Sequence, residues 1–115
     1  MIGIDIVSIS RIERSLDRFG DKFKNRFMTE NEILNTKKIA SIAGIWSAKE
    51  AFSKALGTGI GKEFSFLDIE IIKDKKGKPN INILDQKLLK KLNNKKIDIS
   101  ITHDGGFAIA AVIIL

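Results

Sequence analysis

Trp46-Ser47-Ala48-Lys49-Glu50-Ala51-Phe52-Ser53-Lys54-Ala55-Leu56-Gly57-Thr58-Gly59 is the stretch whose reading decides the fold. It reads as a helix that carries Lys49, Glu50 and Lys54 and stops at glycines. Neighbouring Lys49 and Glu50 lie about 100° apart around such a helix. Glu50 and Lys54, four residues apart, share a face. A carboxylate and an amine beside a glycine-rich turn suit a metal-bound phosphate substrate.

Working outward, residues 39–56 form the longest helical candidate, with weak periodicity near Asn35–Ile39 favouring a start only after Ser41. Upstream, residues 2–7 read as a strand interrupted by Asp5. Ser8 or Ser10 caps a helix whose apolar face is Ile9, Ile12, Leu16 and Phe19, ended by Gly20. Phe23 and Phe27 anchor a short apolar element, and Thr29 with Glu32 three residues later forms a capping box. Downstream, Phe64 to Ile72 reads as a strand with partial alternation. Asp74-Lys75-Lys76-Gly77-Lys78-Pro79 is a hairpin turn, with a return strand from Asn80 to Leu84. Asp85 caps a helix containing Leu88, Leu89 and Leu92. Strands at 97–103 and 107–114 flank Asp104-Gly105-Gly106. This order predicts an α+β fold, helices packed on a largely antiparallel sheet, in a single domain spanning 1–115. A doubly wound sheet is the weaker alternative, because the strands cluster late and are joined by short turns.

The totals narrow the function classes. The 115 residues carry a formal net charge of +6, which favours an anionic partner. The absence of cysteine excludes disulfides, thiolate metal sites and cysteine nucleophiles. No signal peptide and no apolar run of membrane-spanning length are visible, so a cytoplasmic location and no membrane partner are expected. The late lysines keep weak nucleic-acid binding open, but no single-strand stacking motif accompanies them, so a nucleic-acid partner is not expected.

The candidate chemistry rests on few residues. Asp5 and Glu50 can hold a divalent cation whose shell phosphate oxygens complete, and Mg²⁺ suits such a set; the alternative is a locally paired Asp5 and a solvated Glu50. Lys49 and Lys54 can neutralise phosphate, or simply face water. Gly57, Thr58 and Gly59 allow close backbone approach to a phosphate, although the stretch is not a P-loop. His103, the single histidine, either meets an anionic ligand at a strand end or holds the turn. Arg11, Arg14 and Arg18 form a basic helix edge, read either as a docking face for an acidic protein or as a solvated one.

Three blocks together resemble the bacterial holo-acyl-carrier-protein synthases, the small class of phosphopantetheinyl transferases. They are Gly3-Ile4-Asp5-Ile6-Val7, Trp46 through Gly61, and Ser100-Ile101-Thr102-His103. The resemblance implies an α+β transferase that moves 4'-phosphopantetheine from coenzyme A to a serine of apo acyl carrier protein and releases adenosine 3',5'-bisphosphate, a step that serves fatty acid biosynthesis. It implies Mg²⁺ on Asp5 and Glu50, Lys54 at the transferred phosphate, and Thr102 and His103 in the element that contacts coenzyme A. It also implies that the carrier protein docks on the helix of Arg11 and Arg14, and a homotrimer with active sites shared across subunit boundaries. One departure stands out: many members have arginine where this chain has Ile45, one turn before Lys49. The region between Asn35 and Ser41 is also compact.

Overall fold

A computed structural model describes all 115 residues. The chain runs β1 (Ile2–Ser8), α1 (Ile9–Phe19), α2 (Asp21–Phe27), α3 (Glu30–Asn35), α4 (Ile39–Leu56), a 3-10 turn (Phe66–Asp68), β2 (Ile69–Lys73), β3 (Pro79–Ile83), α5 (Gln86–Lys91), β4 (Ile97–Asp104) and β5 (Phe107–Ile114). Two antiparallel sheets result, one ordered β1-β5-β4 and the other the β2-β3 hairpin. The α+β expectation holds.

Side-chain alternation divides the three-stranded sheet. Val7, Ile99, Ala108, Ala110, Val112 and Ile114 are buried on the face that carries α4, whereas Ile2, Ile4, Ile6, Phe107 and Ile113 are exposed on the other. Helix α4 meets the inner face with Ala48, Ala51 and Ala55, all buried, so the two backbones approach closely. The tightest point is Gly3: a Cβ built there would lie 1.9 Å from the Ala51 carbonyl oxygen and 2.5 Å from the Ala55 nitrogen. Only glycine fits between this strand and this helix. On the far side of α4, Trp46 packs against Phe23, Phe27 and Phe66 with ring centroids 4.8–5.8 Å apart. That cluster holds α2 and the 3-10 turn on the helix.

The local signals explain most boundaries. Ser8 caps α1 by accepting from the Arg11 N–H, and Thr29 and Glu32 form the reciprocal capping box of α3. Asp85 caps α5 through the Leu88 N–H, and the β2–β3 turn closes on Asp74 Oδ1, which accepts from the N–H groups of Lys76 and Lys78. Two expectations are corrected. Helix α4 begins at Ile39 rather than beyond Ser41. The strand read from Phe64 starts only at Ile69, because Ser65 and Asp68 form a second capping box that bends the chain into the 3-10 turn. Phe64 is buried there against Phe52.

Candidate functional site

The close approach at Gly3 brings Asp5, two residues on, to the flank of α4. Ser47 Oγ donates to the Asp5 carbonyl at 2.8 Å, and Lys54 Nζ donates to the Ile4 carbonyl at 3.1 Å and to Asp5 Oδ1 at 3.0 Å. Three polar contacts thus fasten β1 to two turns of the helix. Glu50 lies between Ser47 and Lys54 along α4. Burial raises its carboxyl above the ordinary carboxylate range, and the Asp5 charge raises it further; Lys54 and Arg11 pull it part of the way back. Those influences define one cluster: two carboxylates and two cations where β1, α1 and α4 meet.

Asp5 and Glu50 could hold a divalent cation only with further ligands from substrate or water, since no third His, Asp or Glu joins them. Asp5 Oδ2 is buried and has no hydrogen-bond partner, although its sister oxygen is paired with Lys54. An orphaned carboxylate oxygen beside a second carboxylate is costly unless a cation or another donor meets it. Two carboxylates are also the usual protein share of a Mg²⁺ shell that substrate phosphates and water complete. Asp5 and Glu50 are the residues that would hold it.

Lys49 is a correction. Its side chain is 0% exposed and donates to Glu32 Oε1 and to the Phe27 carbonyl, each at 2.7 Å. It points away from the Asp5–Glu50 flank, so its charge is spent inside the protein rather than on a phosphate. Burial lowers its pKa, against the opposing pull of Glu32. Glu32 itself was readable only as a cap residue.

The Gly57-Thr58-Gly59 loop folds back on the end of α4. The N–H groups of all three residues turn back to the Ser53 carbonyl, at 3.1, 3.2 and 3.2 Å. Gly57 at φ 83° and Gly59 at φ 66° take the left-handed conformation this requires. The loop therefore satisfies the end of α4, where these three amides are engaged. The Thr58 side chain lines a smaller cavity with Lys62, Lys87 and Lys91.

His103 lies elsewhere. It lines a groove of about 620 Å³ walled by α3, the first half of α4, the β2–β3 hairpin and β4. Ile45 lines the same groove, where an arginine was noted as usual, so Lys73 and His103 are its only basic lining residues. Thr102 pairs with Ile109 and His103 with Ala108, so alternation sends these neighbours to opposite faces. His103 is on the α4 side and Thr102 on the exposed side. Asp5 and Ile101 both register with Ala110 of the intervening strand β5. Two strand spacings, about 9.6 Å, thus separate β1 from β4, and α4 stands between their sites. The structure brings Asp5, Glu50, Lys54 and Arg11 together and leaves His103 at the other edge of the sheet. Arg14 is exposed one turn beyond Arg11 on α1, where Nη1 donates to Ser10 Oγ.

The fold and sequence of this chain are shared with known proteins. The family model of the 4'-phosphopantetheinyl transferase superfamily matches residues 1–112, and the chain belongs to that superfamily. Within it the chain belongs with the holo-[acyl-carrier-protein] synthases. It is 64% identical to that enzyme of Nautilia profundicola, over 100% of this chain and 99% of the relative. It is 57% identical to that of Campylobacter fetus, over 99% and 98%. The solved Helicobacter pylori holo-[acyl-carrier-protein] synthase in complex with coenzyme A superimposes with a TM-score of 0.93 at 51% identity, covering 100% of both chains.

Proposed function

We propose that this protein transfers 4'-phosphopantetheine from coenzyme A to a serine of apo acyl carrier protein, with Mg²⁺ bound by Asp5 and Glu50. The observation that carries the reading is the junction of β1 and α4, where an unpaired buried carboxylate oxygen, a second carboxylate of raised pKa and Lys54 converge. When bound, Mg²⁺ supplies charge neutralisation at the diphosphate. Lys54, held by Asp5 and the Ile4 carbonyl, places its ammonium beside the same phosphate oxygens. Glu50 takes the proton of the serine hydroxyl directly or through one water. The serine oxygen bonds to the β-phosphorus of coenzyme A. The bond from that phosphorus to the bridging oxygen breaks, and adenosine 3',5'-bisphosphate departs with the electron pair.

His103 enters this reading from a second copy of the chain. The residues that fit the diphosphate and the groove of His103 lie at opposite edges of one sheet. The exposed face between them is apolar, with Ile2 73%, Ile4 64% and Ile6 58% exposed. A face of that kind marks a protein contact. It supports a homotrimer in which the β1 edge of one copy completes the groove of the next, with His103 and Lys73 toward the nucleotide end of coenzyme A. Arg11 and Arg14 present positive charge beside the cluster to the acidic carrier protein.

Intact-mass measurement of an apo carrier protein after incubation with this protein and coenzyme A tests the reading. The expected result is one added phosphopantetheine with Mg²⁺ and none with a chelator. No addition to a carrier that a known synthase modifies would overturn it.

A further inference from the structure

We propose that Glu32 and Lys49 are positioning residues, a buried ion pair that fixes the rotation of α4 and thereby aims Glu50 at Asp5. The inference rests on the functional reading above. Both side chains are 0% exposed. The Glu32 carboxylate is fully engaged: Oε1 accepts from the Thr29 N–H at 2.9 Å and from Lys49 at 2.7 Å, and Oε2 accepts from the Ile71 N–H at 2.7 Å. Lys49 also donates to the Phe27 carbonyl at 2.7 Å. Four segments, the end of α2, the cap of α3, strand β2 and helix α4, therefore meet on one pair of charges.

Stability alone is a poor reason for such a pair, since replacing a buried ion pair by apolar groups is often neutral or stabilising. Its directional bonds hold the side of α4 that faces away from β1, which the Ser47 and Lys54 bonds do not reach. On the sheet side, alanines and the Gly3 contact set the distance of the helix, and Ser47 and Lys54 bond it to β1 alone. Lys49 extends from the opposite side as a tether of fixed length. Glu50 is the next residue, about 100° around the axis. A rotation of roughly 20° would carry a carboxylate about 6 Å from the axis through about 2 Å. Misplacement of about 1 Å can cost on the order of 100-fold in rate. Glu32 and Ile71 also line the groove of His103.

The test uses Glu32→Gln/Lys49→Met, which removes both charges and keeps one carbonyl acceptor, and Lys49→Cys. The chain has no cysteine, so the new thiol is unique. Aminoethylation of the unfolded chain then rebuilds an ammonium of lysine length before refolding. Melting, Mn²⁺ binding by electron paramagnetic resonance with coenzyme A present, and kcat and KM are read for each. We expect the double variant to melt within about 5 °C of the wild type. Its kcat should fall 10- to 100-fold with KM for coenzyme A changed less than about threefold, and its Mn²⁺ binding should weaken. Aminoethylation should restore kcat to Lys49→Cys. Wild-type kcat and Mn²⁺ binding in a folded double variant would overturn the inference. So would a rise in KM alone, or loss of the fold in both unrescued variants, which would make the pair structural. No transfer by the wild type overturns the functional reading instead, and Mn²⁺ binding then still decides whether the pair aims the carboxylates.

Discussion

Replacing Gly3 by alanine should damage fold and site together, because one contact sets both. The added Cβ would sit 1.9 Å from the Ala51 carbonyl oxygen. Relief to an ordinary separation of about 3.5 Å needs β1 and α4 to part by about 1.6 Å along that line. Both atoms first met are backbone, so no side chain can swing aside. Overpacking of this kind typically costs about 1–3 kcal/mol, and backbone obstruction puts this site at the upper end. For a chain of this length about 3 kcal/mol corresponds to a fall in Tm of roughly 10 °C. The functional consequence follows from where the strand goes. The Ser47–Asp5 and Lys54–Asp5 contacts, at 2.8 and 3.0 Å, would open beyond hydrogen-bonding range under the same displacement. Thermal melting by circular dichroism, with carrier-protein modification assayed well below the new Tm, reads both effects. A Gly3→Ala protein that melts within 2 °C of the wild type and turns over normally would refute the argument that this contact places Asp5.

The other predictions concern the charges. Glu50→Gln should abolish most turnover and yet stabilise the fold at neutral pH. The Glu50 pKa is raised on folding, so the ionised carboxylate is a cost above its folded pKa. That cost is absent once it is protonated in both states, below the ordinary 4.5. The advantage of Glu50→Gln in urea unfolding should therefore shrink as pH falls toward that value; an advantage that grew would contradict the sign. Asp5→Ala should raise the Mg²⁺ concentration needed for half-maximal activity by on the order of tenfold, about 1.4 kcal/mol of lost binding, and an unchanged Mg²⁺ titration would remove Asp5 from the ligand set. Arg14→Glu should raise KM for the carrier protein by about tenfold with KM for coenzyme A unmoved; equal shifts in both would place the carrier elsewhere.

Much of this was legible because its signals are local. The caps at Ser8, Thr29 and Asp85, the turn at Asp74–Lys78 and the stop at Gly57 each involve residues within a few positions of one another. Ser65 and Asp68 carried the same kind of signal, but the apolar residues around them made the segment read as strand. Asp5 announced itself by interrupting an apolar strand, and its association with Glu50 and Lys54 came from the resemblance of whole blocks. The burial of Lys49 was not legible. A helical lysine ordinarily faces water, and its partner lies 17 residues away on another helix. The back-folding of the glycine loop was not legible for a similar reason: glycines that can admit a phosphate can equally let a helix end fold back on its own carbonyl. Nor could spacing show that Asp5 and His103 fall on opposite edges, since this depends on the last strand inserting between the first and the fourth.

That separation makes the shared site the claim most open to direct attack. Asp5→Ala and His103→Ala proteins, assayed at Mg²⁺ and coenzyme A concentrations that limit each alone, should regain activity when unfolded together and refolded as a mixture. An interface that draws Asp5 from one variant and His103 from the other is intact, and random mixing gives about a quarter of interfaces this form. Recovery near that fraction is the result the account predicts. A mixture as inactive as its components, with both proteins folded and assembled, would contradict it.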